Sequence, residues 1–178
     1  MNFVNRPNFE SPIALAEMPY PPIQVTQKNI HYEKLMLDNL AGSNSEMSTF
    51  NLYFYNSLIT SRQYKEIADV FNEVMEEELH HMEIFGEISL QLGADPRLWA
   101  WKNNRNIYWT PSYTQYTMRL KDIISNAIKN EKWAIDKYSK QISNIKDMSI
   151  VENLNRIIKD EKKHLDKFTQ LYNKYVCD

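Results

Sequence analysis

Apolar residues recur every three to four positions along four long segments of the chain, which is the period of amphipathic helices. The first segment covers about residues 29–58, contains no proline and has Gly42 inside it. The second covers residues 60–92 and starts at Thr60, which forms a capping-box pattern with Gln63. The pattern therefore predicts two long helices, joined by a short link, in the first half of the chain.

The second half of the chain repeats this arrangement. A third helix is predicted over about residues 113–144, and a fourth begins after Ser149, which forms a capping-box pattern with Glu152, and ends near residue 175. Residues 93–112 between the halves are rich in aromatic and turn-forming residues, so we interpret them as a long crossover. The predicted fold is all-α, an antiparallel four-helix bundle made of two helical hairpins.

Residues 1–28 have a different composition from the rest of the chain. They hold five of the seven prolines, and proline disfavours helix both at its own position and at the residue before it. We interpret residues 1–28 as an extended N-terminal arm and residues 29–178 as the bundle. A length of 178 residues suits one such domain.

Composition and charge narrow the classes of function. A net charge of −2, with basic residues scattered among acids, does not favour nucleic acid as a partner. The single cysteine, Cys177, excludes an internal disulfide framework and a zinc site or rubredoxin-type iron centre built from cysteines within this sequence. No stretch is apolar enough to span a membrane, and the N-terminus does not resemble a secretory signal, so we expect a cytoplasmic protein.

Acids and histidines interrupt the apolar face of every predicted helix. Glu78 and His81 share the phase of the apolar residues of the second helix, and Glu161 and His164 share that of the fourth. Both pairs read Glu-x-x-His, a spacing that places carboxylate and imidazole on adjacent turns of one face. The first and third helices each add one inward acid: these are Glu46 and Glu131.

An internal repeat supports this choice of residues. Glu46 stands 32 positions before Glu78, and Glu131 stands 30 positions before Glu161. Tyr53 follows Glu46 by seven residues and Tyr138 follows Glu131 by seven, which is two helical turns along the same face. If the two hairpins pack together, the four carboxylates and two imidazoles meet at one point inside the bundle.

Metal ions would make such a cluster stable. An isolated buried carboxylate costs on the order of tens of kcal/mol by Born estimates, whereas two divalent cations nearly neutralise four carboxylates. Three alternatives that involve no metal remain open. Glu77 and His80, one residue earlier, could be a solvated pair; Glu161 and His164 could lie at the surface; and Glu131 could pair with a lysine of its own helix.

These motifs are similar to those of the ferritin-like superfamily, and within it of the rubrerythrin-type proteins, over roughly residues 29–175. The stretches that carry the resemblance are Ser45-Glu46-Met47, Glu78-Leu79-His80-His81-Met82-Glu83, Asn130-Glu131-Lys132, Asp160-Glu161-Lys162-Lys163-His164 and Leu92-Gly93-Ala94-Asp95-Pro96-Arg97. The resemblance implies a ferritin-like bundle that binds two metal ions, iron first and manganese as the alternative, because carboxylate and imidazole ligands suit both.

The resemblance also implies roles for individual residues. Glu78 and Glu161 would bridge the two ions and act in catalysis. Glu46 with His81 would complete the coordination of one ion, and Glu131 with His164 would complete that of the other. Outside these ligands, we expect Asp160 to orient His81 and Glu77 to orient His164, since metal-bound histidines usually donate their second nitrogen to an acid. Tyr53 and Tyr138 are candidate catalytic residues that either hydrogen-bond the carboxylates or fill space.

The activity implied is that of an oxidoreductase acting on hydrogen peroxide or dioxygen. Two features depart from the family pattern: Ala134 stands where peroxidase members often carry a further glutamate, and no rubredoxin domain is present. Electrons would then come from an external donor such as a rubredoxin, or the reaction would need no net reductant, as in manganese catalase-like dismutation. Ferritin-like iron oxidation for storage and a purely structural role are further alternatives. We expect a homodimer or larger homo-oligomer.

Overall fold

The computed structural model of this chain describes residues 19–177. Within that range, four long helices and one shorter helix surround a polar centre, and a small β-hairpin lies in the crossover. The elements are α1 (Ile30–Ala41), α2 (Glu46–Thr60), α3 (Lys65–Leu92), β1 (Trp99–Lys102), β2 (Arg105–Tyr108), α4 (Leu120–Ile142) and α5 (Met148–Val176). None of these helices is long and apolar enough to cross a membrane.

The predicted bundle of two helical hairpins is confirmed. Residues 61–64 join α2 to α3, and residues 143–147 join α4 to α5, so short links hold each pair as packed neighbours. Helix α3 also contacts α5, which brings the two hairpins together, and α1 packs along α3.

The first predicted helix is wrong in one respect, because it is two helices with a break at residues 42–45. Gly42 caps α1, and its backbone N–H donates to the carbonyl of Asp38. A Cβ at this position would lie 2.6 Å from the backbone carbonyl oxygen of Asp38, so a larger residue does not fit the turn. Ser45 then caps α2, with its hydroxyl accepting from the N–H of Ser48, and Glu46 becomes the first residue of the new helix.

Three predicted helix starts are also corrected. Thr60 ends α2, where its hydroxyl donates to the carbonyl of Asn56, and α3 begins at Lys65. Helix α4 begins at Leu120 instead of near residue 113. Helix α5 begins at Met148, one residue before Ser149, because Asp147 is its cap: the carboxylate accepts from the N–H groups of Ser149 and Ile150.

Asp147 also anchors the N-terminal arm, since its other oxygen accepts from the N–H and the hydroxyl of Thr26, at 2.8 and 2.7 Å. Losing the cap and these bonds should lower the free energy of unfolding of Asp147→Ala by about 2 kcal/mol. Asp147→Asn should lose about 1 kcal/mol, because asparagine keeps the cap but its amide nitrogen cannot accept from the N–H of Thr26. Urea denaturation would measure both changes, and an Asp147→Ala variant as stable as the wild type would contradict the assignment.

The crossover contains two features that helical periodicity does not predict, a β-hairpin and, after it, a 3-10 helix of three residues over Pro111–Tyr113. Strands β1 and β2 pair antiparallel, with Lys102 opposite Arg105. Asn103 and Asn104 form the two-residue turn with φ of 52° and 60°, the left-handed conformation that asparagine tolerates in such turns. The hairpin packs against α1, and the Trp109 indole just after it donates to the Ser48 hydroxyl of α2 at 3.0 Å.

Residues 19–28 of the predicted arm contain no helix or strand. Tyr20, Ile23 and Val25 pack against the core. The backbone N–H of Val25 donates to the Gln91 side chain at 2.9 Å, and Gln91 donates back to the carbonyl of Ile23 at 3.0 Å. The arm is therefore fixed to α3 and, through Thr26, to the start of α5. Residues 1–18 of the prediction lie outside the described residues.

Two apolar clusters fill the bundle, one on each side of a polar layer. Along α3, one cluster includes Ile67 to Val74 and the other Ile84 to Leu92. Along α5, one includes Ile150 to Ile158 and the other Phe168 and Leu171. The Glu-x-x-His pairs of both helices fall between the clusters, so the fold places them in the middle of the core.

Candidate metal centre

The six side chains predicted to converge do so, and each is at least 98% buried. They are Glu46 from α2, Glu78 and His81 from α3, Glu131 from α4, and Glu161 and His164 from α5. Each helix turns its acid inward because the same face carries the core apolar residues on the neighbouring turns. This burial does not match the three alternatives without a metal. They were a solvated Glu77–His80 pair, a surface Glu161–His164 pair and a Glu131 paired with a lysine on the helix surface.

The donors form two overlapping groups, each able to hold one ion. Glu46 and His81 belong to the first, Glu131 and His164 to the second, and both groups share Glu78 and Glu161. Within a group, one ligand atom from each residue lies within 4.8 Å of the others. Sharing of two carboxylates is the arrangement that lets a pair of cations bind side by side.

Both imidazoles direct Nδ1 at the carboxylates. His81 Nδ1 lies 3.2 Å from Glu78 Oε2, 3.3 Å from Glu161 Oε1 and 4.0 Å from Glu46 Oε1.

His164 mirrors this arrangement. Its Nδ1 lies 3.4 Å from Glu78 Oε1, 3.5 Å from Glu131 Oε2 and 3.5 Å from Glu161 Oε2. The ring centroids of the two histidines are 6.0 Å apart. The two halves of the chain thus supply equivalent donors from opposite sides.

The outer nitrogens of the two histidines face the acids predicted for them. His164 Nε2 lies 2.7 Å from Glu77 Oε2, so that predicted pairing is confirmed, and His81 Nε2 lies 3.6 Å from Asp160 Oδ2. Glu77 is buried because its carboxylate contacts His164 of α5, whereas His80, its partner in the alternative solvated pair, is half-buried.

Two tyrosines cross the site and link its halves. The Tyr53 hydroxyl of α2 donates to Glu131 of α4, and the Tyr138 hydroxyl of α4 donates to Glu46 of α2. Each tyrosine therefore contacts the glutamate of the other half of the chain. The glutamate on its own helix stands seven residues before it. Both rings are fully buried and also pack in the apolar clusters, Tyr53 on Phe71 and Tyr138 on Phe85.

The metal-free cluster divides its charge unequally. Burial, together with the charges of Glu78 and Glu161, raises the pKa of Glu46 well above its ordinary value, and burial and Glu161 do the same for Glu131. Burial and the charge of Glu161 oppose ionisation of Glu78, but contacts with the two histidines hold its pKa below the ordinary value. Burial also opposes ionisation of Glu161, but contacts with Glu131 and then with the two histidines hold its pKa below the ordinary value.

The pKa of a buried histidine is set by two opposing effects. Burial acts to lower the pKa of His164, but Glu131, Glu161, Glu77 and Glu78 together raise it well above its ordinary value. Without metal, protons therefore take the place of cations in this pocket.

The donor set fits two divalent cations. Glu78 Oε1, Glu161 Oε1 and His164 Nδ1 are buried and make no hydrogen bond of normal geometry within residues 19–177, although all three face the centre of the cluster. Atoms of this kind carry a large cost unless something binds them. Four carboxylates and two imidazoles around one point match the charge and ligand preference of iron or manganese.

A cavity of about 270 Å³ lies between α2 and α4 and reaches the site from the surface. Its inner wall includes Glu46 and Tyr138, and Ala134 and Asn130 line the α4 side. A water occupies about 30 Å³ of liquid, so the cavity has room for a small oxidant and several waters.

Sequence reasoning missed two residues that contact the outer side of the site. Arg156 of α5 is buried and pairs with Asp160, and Tyr20 of the arm donates its hydroxyl to the same carboxylate. The spacing of Arg156 and Asp160, four residues along one helix, is a signal that could have identified the arginine. Tyr20 lies in a proline-rich stretch with no periodicity, so no pattern marks it.

Comparisons with known proteins agree with this geometry. A family model described as Rubrerythrin matches residues 38–172. A search of curated protein sequences finds no match.

Several solved structures share the fold at low sequence identity. KatB, a manganese catalase from Anabaena, is 18% identical with a TM-score of 0.78, covering 89% of this chain and 78% of its own. The bacterioferritin BfrA of Mycobacterium tuberculosis is 19% identical with a TM-score of 0.66, covering 83% and 89%. A dodecameric thioferritin, the bacterioferritin-related protein of Bacteroides fragilis, is 14% identical with a TM-score of 0.62, covering 84% and 93%.

Proposed function

This chain belongs to the rubrerythrin family, and on that premise we propose that it is a dimetal-carboxylate oxidoreductase acting on hydrogen peroxide or dioxygen. Glu78 and Glu161 would hold both of two metal ions, iron first and manganese as the alternative. Glu46 and His81 would complete the ligands of one ion, and Glu131 and His164 those of the other. The observation that carries the proposal is the pair of overlapping donor groups that share two buried carboxylates.

A pair of iron or manganese ions, when bound, supplies two-electron chemistry to both oxygens of a peroxide or dioxygen. The protein's own residues supply the rest. The apolar clusters on both sides keep water from the carboxylates except where the cavity between α2 and α4 reaches Glu46. The Tyr53 hydroxyl donates its proton in a hydrogen bond to Glu131, and the Tyr138 hydroxyl does the same to Glu46. Both hydroxyls are therefore in place to deliver a proton at the site.

We propose that the oxidant enters through the cavity between α2 and α4, which ends at Glu46 and Tyr138. Ala134→Leu would fill part of this passage without removing a ligand, and leucine is compatible with the helix. We expect the second-order rate with hydrogen peroxide to fall about tenfold, or about 1.4 kcal/mol, while metal content stays unchanged. Stopped-flow kinetics would measure the rate.

A matched control for Ala134→Leu is Lys132→Leu, which adds the same side chain on the exposed side of α4. We expect this variant to react at the wild-type rate. Equal rates for Ala134→Leu and the wild type would show that the oxidant enters by another route.

Metal analysis combined with a peroxide assay tests the proposed activity. Protein produced in metal-replete cells should contain two ions of iron or manganese per chain. Peroxide consumption that requires an electron donor, such as a reduced rubredoxin, supports the peroxidase, whereas oxygen release without a donor supports manganese catalase-like dismutation. Protein with neither metal, and no peroxide consumption after reconstitution, would contradict the proposal.

Iron oxidation for storage is a second candidate function. The fold is shared with bacterioferritin, and the same donor set would bind ferrous iron as substrate.

We propose that the chain forms a homodimer or larger homo-oligomer. Sizing in solution together with iron-loading assays separates the two functions: a small oligomer that retains no mineral iron favours the oxidoreductase.

A further inference from the structure

We propose that Tyr20 of the N-terminal arm is a positioning residue for His81, acting through Asp160, and that the arm thereby makes the two metal positions unequal. The inference rests on the proposed function, because it concerns how one ligand of the proposed dimetal site is held. It assigns to residues 19–28 a role in the site, beyond covering the bundle.

Hydrogen bonds and short contacts connect the arm to the ligand. The Tyr20 hydroxyl donates to Asp160 Oδ2, and the same oxygen lies 3.6 Å from His81 Nε2. Asp160 is fully buried, so these neighbours decide where its carboxylate lies. The Tyr20 ring centroid is 6.5 Å from that of His81, and 4.7 Å from that of His80 in an edge-on contact.

Arg156 completes the support of Asp160. Its guanidinium pairs with Asp160 Oδ2 and lies 4.2 Å from the centroid of the Tyr20 ring, in a cation–π contact. Arginine, aspartate and tyrosine thus form a compact group behind His81, with the carboxylate held from two directions. At 3.6 Å, the contact between Asp160 Oδ2 and His81 Nε2 is longer than a hydrogen bond, and a carboxylate fixed beside this nitrogen favours the ring orientation that turns Nδ1 toward the metal site.

The position of Tyr20 does not depend on the site itself. Gln91 of α3 hydrogen-bonds the backbone at Ile23 and Val25, and Asp147 holds Thr26. These bonds fix the chain three to six residues beyond Tyr20. The arm therefore presents the phenol to Asp160 as part of the folded protein.

The second histidine has a different environment. Glu77 Oε2 lies 2.7 Å from His164 Nε2, but the other oxygen of Glu77 makes no hydrogen bond within residues 19–177. The two halves of the chain supply equivalent ligands, yet within residues 19–177 the contacts of Tyr20 with the site are on the His81 side. Loss of Tyr20 should therefore weaken one ion and spare the other.

Titration of the metal-free full-length protein with cobalt(II) tests this inference, since cobalt(II) bound in carboxylate and histidine sites is followed by its visible spectrum. We expect the wild type to bind two ions. We expect Tyr20→Phe to weaken one of them about threefold to tenfold, at or below the range known for losing a direct outer partner of a ligand, and to leave the other unchanged. The control Tyr32→Phe removes a hydroxyl from a tyrosine packed on the same cluster, and should leave both ions unchanged.

The Asp160→Ala background separates a positioning role from a structural one, because it removes the oxygen that accepts from Tyr20. If Tyr20 acts through Asp160, Tyr20→Phe has no further effect on cobalt affinity in Asp160→Ala protein. An effect of equal size in both backgrounds, equal weakening of both ions, or no weakening at all would overturn the inference. A wild-type protein that binds no cobalt would overturn the proposed function as well. Two tightly bound ions in both the wild type and Tyr20→Phe would overturn this inference alone.

Discussion

We expect Glu161→Ala to lose both metal ions and to lower the peroxide-dependent activity by more than about 100-fold, beyond the range seen when only an outer partner of a ligand is lost. Glu161 belongs to both donor groups, and the nearest contacts of each histidine include one of its oxygens. Removing it therefore opens both positions together. Elemental analysis and steady-state kinetics measure the two effects.

Glu46→Ala is the informative comparison, because Glu46 belongs to one donor group only. We expect this variant to keep the ion held by Glu131 and His164 and to bind the other weakly. The control Glu152→Ala removes an exposed acid from the same helix as Glu161 and should keep both ions. A Glu161→Ala protein that still contains two ions would contradict the assignment of Glu161 as a bridging ligand.

The second large effect concerns stability. We expect the metal-free protein to melt at a lower temperature than the loaded protein, with a difference that grows from pH 5 to pH 8. Binding energy that is available only to the folded state adds to its stability, and removing the ions leaves four buried carboxylates facing one another.

The direction of the pH effect follows from the shifted pKa values. Because Glu46 and Glu131 have a raised pKa in the folded protein, their contribution is fully present below their ordinary pKa of 4.5 and is lost as pH rises above it. The raised pKa values of His81 and His164 act in the same direction above 6.5. The lowered pKa values of the other two glutamates, Glu78 and Glu161, cost stability only when the solution is acidified below 4.5.

The size of the effect can be bounded. One extra proton held by the folded state across three pH units corresponds to about 4 kcal/mol, and about 8–16 °C in melting temperature for a domain of this length. Differential scanning calorimetry of chelated and loaded protein at pH 5 and pH 8 would measure it. Equal melting temperatures with and without metal, or a metal-free protein that is more stable at pH 8, would contradict the account.

Much of this architecture follows from sequence because one face of each long helix carries both the core and the ligands. Apolar residues on the turns before and after Glu78 and Glu161 define the direction in which these acids point, so periodicity alone predicts their burial. The repeat between the two halves then supports the choice of Glu131 and of Glu46, which begins α2 and so has apolar neighbours of its own helix on one side only.

The features that sequence reasoning did not predict depend on contacts between distant segments. A single glycine inside a helical period is compatible with a continuous helix, and the steric limit that ends α1 at Gly42 depends on the position of Asp38. Glu77 lies between the polar and apolar faces of α3, so its burial depends on where α5 packs. Tyr20 reaches Asp160 across 140 positions of the sequence, which no local pattern encodes.

Anomalous diffraction from crystals of the metal-loaded protein, collected at the iron and manganese absorption edges, tests the central claim most directly. We expect two peaks inside the bundle, both in contact with Glu78 and Glu161, one also with His81 and the other with His164. A single peak outside this cluster, or no peak in crystals grown with excess iron and manganese, would contradict a dimetal centre.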